Sequence, residues 1–132
     1  MKKEFLSFLI LVTLTFFLLS CGKATTQEFT QTQNGITAVF TMKPTSPVTM
    51  KLVTLTLTLT DSKGKAIEGA DVVYDLIMPG MTMPPNQPQA TDKGKGIYQV
   101  DTTFTMSGKW SAETTVTYTG VTTPFTFDFS VK

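Results

Sequence analysis

Histidine is absent from the 132 residues of this chain, and cysteine occurs once, at position 21. Histidine titrates near neutral pH and is the commonest metal ligand, so its absence excludes imidazole-based proton transfer and imidazole-rich metal centres. A single cysteine offers neither a disulfide partner nor the ligand set of a zinc site. Charge of one sign is lacking too. Beyond the leader nine lysines face nine carboxylates, which leaves no field to gather nucleic acid or anionic lipid. The stretch DKGKG around Gly94 and Gly96 precedes no helical pattern, so it reads as a hairpin turn and not as a phosphate-binding loop. Asp71, Asp75, Asp92, Asp101 and Asp128 are spaced too widely for a calcium loop. With no base, nucleophile or cofactor motif to name, the chain is expected not to be an enzyme.

At the N-terminus Lys2 and Lys3 precede an apolar run from Phe5 to Leu19. That run suits the core of a signal peptide and is shorter than the roughly 20 residues that span a bilayer. It ends Leu18-Leu19-Ser20-Cys21-Gly22, which resembles the lipobox of bacterial lipoproteins. The resemblance implies a diacylglyceryl group on Cys21, cleavage before it and acyl chains such as palmitate that anchor the chain in the membrane. It implies a lipid-anchored protein of the cell envelope. The absence of Asp after Cys21 points to the periplasmic face of the outer membrane where the cell has two membranes. The organisation expected is a signal peptide over 1–20, a lipidated Cys and flexible tether over 21–34, and one domain over 35–132.

Threonine occurs 26 times and alternates with Val, Leu and Phe, the pattern of a half-buried pleated surface. Val53, Leu55, Leu57 and Leu59 fall on one face of the clearest strand. Phe125, Phe127, Phe129 and Val131 repeat the alternation near the end. Further strands are predicted over 36–42, 72–78, 97–104 and 109–119, with a short one near 86–91 and Trp110 as the aromatic plug of the core. The fold expected is all-β, an immunoglobulin-like antiparallel β-sandwich of about seven strands.

The loop from Pro79 to Gly96 is exceptional in holding four prolines, and Met78, Met81 and Met83 stand at its start. Thioether sulfur is a soft, neutral donor that favours Cu(I) and needs no deprotonation. Met78, Met81, Met83 and Met106 are the candidate metal ligands, with Trp110 as a shield. Packing at the end of a core, or an adaptable apolar contact surface, is the competing use of methionine and the preferred one for Met42 and Met50. Because loops of a sandwich alternate between its two ends, counting strands from residue 36 brings Met42, Met50, Met78, Met81, Met83 and Met106 to one end. The same count turns that end away from the membrane.

Four motifs extend the picture. They are Gly64 to Val72 (GKAIEGADV), Met78 to Met83 (MPGMTM), Gly96 to Tyr98 (GIY) and Met106 to Trp110 (MSGKW). In combination they resemble the YtkA-like, FixH-related domain of bacterial envelope proteins. That resemblance implies a non-enzymatic immunoglobulin-like sandwich associated with copper handling, oxidase assembly or metal efflux. The expected function is thus a membrane-anchored module that holds Cu(I) and passes it to an envelope protein. The alternative is a metal-free domain that docks an efflux or oxidase-assembly partner.

Overall fold

A computed structural model describes residues 26–132. The signal peptide, Cys21 and the first residues of the expected tether lie outside the described residues. Eight strands follow one another without a helix among the described residues: β1 Glu28–Gln33, β2 Ile36–Lys43, β3 Leu52–Thr60, β4 Asp71–Ile77, β5 Thr91–Asp92, β6 Ile97–Thr103, β7 Gly108–Tyr118 and β8 Val121–Val131. They form two antiparallel sheets, one in the order β1-β2-β3-β6-β5 and the other β4-β7-β8. The all-β sandwich expected from the sequence is the fold observed.

Alternation explains why these segments pair as they do. In β3 every second residue from Val53 to Leu59 is buried while the threonines between them are half-exposed, and β8 buries Phe125, Phe127, Phe129 and Val131 in the same way. A slip of one residue would exchange these faces, so burial fixes the register. Aromatic rings join the two inner faces. Phe40 of β2 stacks on Phe127 of β8 at 4.9 Å, and Phe104 meets the edge of Trp110 at 4.9 Å and of Phe129 at 5.5 Å. Burying rings of this size stabilises the sandwich by about 1.5–3 kcal/mol each.

The tether expected to run through residue 34 ends sooner, because residues 28–33 form β1. The segment EFTQTQ has a single apolar residue, which hid it in the sequence. An edge strand needs only one face buried, and Phe29 provides it by packing 6.1 Å from Phe40. The turn that folds β1 onto β2 is Asn34-Gly35, with φ of 50° and 74°, the left-handed pair that suits a two-residue hairpin. Gln31 then clips this edge to the other sheet. Its side-chain amide donates to the carbonyl of Thr126, and its side-chain oxygen accepts the Thr126 N–H at 3.4 Å.

The short strand expected over 86–91 is displaced. The carbonyls of Asn86 and Pro88 accept the N–H groups of Leu76 and Tyr74, and Ala90 donates to Val72, so the segment borders β4. Pro84, Pro85 and Pro88 have no N–H to donate, which prevents a regular ladder there. Only at Thr91 does the chain pass to the other sheet and pair with β6 as β5. It thereby closes the side of the sandwich opposite β1 and β8.

The extra strand has a directional effect. With eight strands, β1 starts where β2 ends, since Glu28 lies opposite Thr41. The chain therefore joins the domain at the methionine end. The strand count that took residue 36 as the first strand position is corrected: one added strand moves the chain's entry from the opposite pole to the methionine pole.

Two positions generate stability predictions. Gly96 has φ +75°, and a Cβ there would lie 2.5 Å from the carbonyl oxygen of Leu59. Gly96→Ala is expected to cost about 2 kcal/mol or more in denaturant unfolding, since both backbone strain and a backbone clash must be relieved. The hydroxyl of Tyr74 is buried without a hydrogen-bond partner among the described residues, and burial pushes its pKa well above the ordinary phenol value. Tyr74→Phe should leave stability unchanged or raise it by about 1 kcal/mol. The folded chain keeps this proton where the unfolded chain releases it, so wild-type stability should fall as pH rises past about 10. Unfolding free energies measured between pH 8 and 11 should show a smaller fall in the variant.

Candidate functional site

One pole of the sandwich is built by the ends of β2, β4, β6 and β8 and the starts of β1, β3 and β7. Backbone bonds weld its loops together. Lys132 donates to Pro47 at 2.9 Å, Thr49 donates to Lys132 at 2.8 Å, and Met50 donates to Phe104 at 2.8 Å. The six methionines beyond the leader all lie at or next to this pole, as strand counting predicts, although they differ in what surrounds them.

Met78 follows the last residue of β4 and is buried, and the turn after it is closed by the Met81 N–H donating to the Met78 carbonyl at 3.1 Å. Pro79 and Gly80 shape this turn, with Gly80 at φ +82°. Met81 emerges 53% exposed, whereas Met83 is half-buried and packs against the core. The three residues line one open concavity of about 370 Å³, with Ile77 and Pro85 as apolar walls and Asp75 as its charged residue. The Asp75 carboxylate accepts a 3.1 Å hydrogen bond from the side chain of Gln87, which ties the far limb of the loop to β4. The structure thus brings Met78, Met81 and Met83 together.

Met106 lies on the neighbouring β6–β7 turn and does not line that concavity. Its carbonyl accepts the indole N–H of Trp110 at 3.1 Å, which holds the turn against the core, and its side chain is 36% exposed. Trp110 is buried in the aromatic core, where Phe104 packs on it. The link between the two loops comes from Gly108, the glycine of the Met106 to Trp110 motif. A Cβ at Gly108 would lie 3.0 Å from the terminal methyl of Met78, so the bare glycine gives the thioether its room. Met42 is buried opposite Leu55 and belongs to the core, while Met50 is 70% exposed.

A second concavity of about 340 Å³ shares Pro79 with the first and is lined by Lys109, Trp110, Ser111, Asp128, Phe129 and Ser130. Ser111 donates to the Asp128 carboxylate within it. No sequence motif announces this pairing, because the two residues meet only through the β7–β8 register. Among the described residues no group of three or more His, Cys, Asp or Glu side chains gathers to hold a metal. The residues that line the first concavity together include three that carry thioethers, Met78, Met81 and Met83.

The opposite pole is built differently. The Asp61 carboxylate accepts the N–H groups of Lys65 and Lys63, which hold its pKa below the ordinary carboxylate value, so the charged loop that follows β3 caps its own turn. The hydroxyl of Tyr98 donates to the Ile67 carbonyl at 2.8 Å and accepts from Ala70 at 3.0 Å, fixing the approach to β4.

The family model described as YtkA-like matches residues 25–115, more than half of the chain. The matched span covers the Gly64 to Val72, Met78 to Met83, Gly96 to Tyr98 and Met106 to Trp110 motifs, whose structural roles are the approach to β4, the methionine concavity, the tight turn against Leu59 and the Trp110 turn. No curated protein and no solved structure matches the chain. On the family match, with the all-β sandwich beside it, the chain belongs to the YtkA-like family.

Proposed function

We propose that this chain is an envelope-associated module, anchored through Cys21, that binds Cu(I) at the Pro79 concavity and passes it to another envelope protein. The observation that carries the reading is the convergence of Met78, Met81 and Met83 on one open, largely apolar concavity. Two or three thioethers form a soft, uncharged donor set that suits Cu(I) and gives hard cations little to bind. Exposed Met81 offers a first contact, buried Met78 supplies a sulfur held by the core, and half-buried Met83 lies between them. An open site with neutral donors releases its ion readily, which suits transfer more than storage.

Cu(I) titration against a competing chelator tests the reading. Met81→Leu combined with Met83→Leu conserves volume and removes two donors, and it is expected to weaken binding at least tenfold, about 1.4 kcal/mol. Met50→Leu should leave the affinity unchanged. Because thioethers carry no proton, wild-type affinity should also stay flat between about pH 5 and 8. Equal affinity in the double variant and the wild type would overturn the metal reading. It would leave the loop as an adaptable apolar contact for an efflux or oxidase-assembly partner.

A further inference from the structure

Thioethers bring softness to the Pro79 concavity but no charge. A cation on this largely apolar surface carries a charge that neutral donors leave unmatched. Asp75 is the single charged residue among those that line it. It stands on the outward face of β4, where Asp71, Val73, Asp75 and Ile77 alternate with the buried Val72, Tyr74 and Leu76.

Register adds a second carboxylate. Glu113 of β7 lies directly opposite Asp75, and such partners carry their side chains on one face with Cβ atoms about 5 Å apart. Glu113 is exposed, and its partner on the far side is Thr126 of β8, which offers no cation. Lys109 stands four positions along β7, about 13 Å away, and lines the neighbouring concavity. Like charges directly opposed across two strands destabilise a sheet, so this pair works against the fold that carries it.

The other carboxylate of β4 has no such opponent. Asp71 faces Thr117, and the Gln89 side chain donates to it at 2.7 Å. Asp75 has the same kind of support from Gln87 at 3.1 Å. Both ties are neutral, so neither offsets charge. Leu76 donates to the Asn86 carbonyl and Tyr74 to the Pro88 carbonyl, which fixes the limb that bears Gln87 on both sides of Asp75. The carboxylate is thereby held at the concavity, and only there does β4 set one acid against another.

We propose that Asp75, backed by Glu113, supplies the negative charge that a cation among Met78, Met81 and Met83 requires. This role rests on the Cu(I) reading above and adds charge where the thioethers supply softness. A monovalent cation beside Asp75 relieves the repulsion between the two acids, so binding gains what the unloaded pair loses. The thioethers then select against hard cations, and the acid pair selects against anions.

Cu(I) titration of the full chain against a competing chelator, repeated at two concentrations of a non-coordinating salt, tests this role. Asp75→Asn keeps the size of the side chain and an oxygen to accept from Gln87 while removing the charge. It should weaken binding about threefold or more at low salt. Glu113→Gln should weaken it less, and Asp71→Asn should leave it unchanged. Asp75→Glu, which restores the charge, should recover most of the affinity. At about 0.5 M salt the loss should shrink, because exposed charges are then screened beyond about 4 Å. Without metal, Asp75→Asn should unfold at a denaturant midpoint equal to or above that of the wild type, since the opposed charges are gone. Wild-type affinity in Asp75→Asn, with affinity lost in the Met81→Leu and Met83→Leu double variant, overturns the role of Asp75 and leaves the metal reading standing. A loss that Asp75→Glu fails to recover, or that salt leaves undiminished, also overturns it, because such a loss traces to loop geometry and not to charge. Wild-type affinity in Asp75→Asn and in the double methionine variant alike overturns both readings.

Discussion

The layer of aromatic rings between the two sheets is the constraint on which the rest of the molecule depends. Phe40 against Phe127, and Phe104 between Trp110 and Phe129, leave no freedom in how the sheets face one another. Because Phe104 and Trp110 flank the β6–β7 turn, the same contacts that hold the core hold that turn. The Trp110 indole then sets the backbone at Met106. The loops of the methionine pole are therefore extensions of the core, tied to it at Phe104 and at the C-terminal end of β8, while the charged turns of the other pole satisfy themselves locally.

This coupling gives the Pro79 loop a rigid base and an open mouth. Met78 is fixed by burial and by the space above Gly108, whereas Met81 projects into solvent. Thioether-bearing residues on such a base keep their backbone geometry without being sealed. Nearby, the β2–β3 loop supplies an outward-facing apolar group of a different kind, with Val48 and Leu52 beside Met50. Two surfaces with different chemistries share one pole, separated by the width of a sheet.

Much of this was legible in the sequence because threonine and aliphatic residues alternate so regularly. β3 and β8 follow directly from that pattern, and the convergence of the methionines follows from counting crossings. The strand that mattered for direction was not legible by the same means. EFTQTQ offers only Phe29 to a periodicity argument, and its polar partners are half of an edge that sees water on most sides. The dipeptide Asn34-Gly35 was the available clue, since it favours a two-residue hairpin and so demands a strand before it as well as after it. The β5 region was blurred for the opposite reason: prolines broke the ladder that the apolar positions suggested. Contacts such as Gly108 with Met78, or Ser111 with Asp128, depend on register between distant segments and have no local signature.

The attachment of β1 also has a mechanical meaning. It is an outer strand, held along one side by β2 and elsewhere by the Gln31 clip, and its first rung, Glu28 opposite Thr41, lies at the pole where the chain arrives. A pull on residues 26 and 27 directed across the strands, with the rest of the domain held in place, opens the ladder one rung after another, whereas a pull along β1 loads all its rungs together. Rungs that break singly yield at lower force than rungs loaded together in shear. Against a crosswise pull the fold therefore yields first where the described chain enters the domain, with the aromatic layer and the sulfur-bearing loops beyond the last rung that would open.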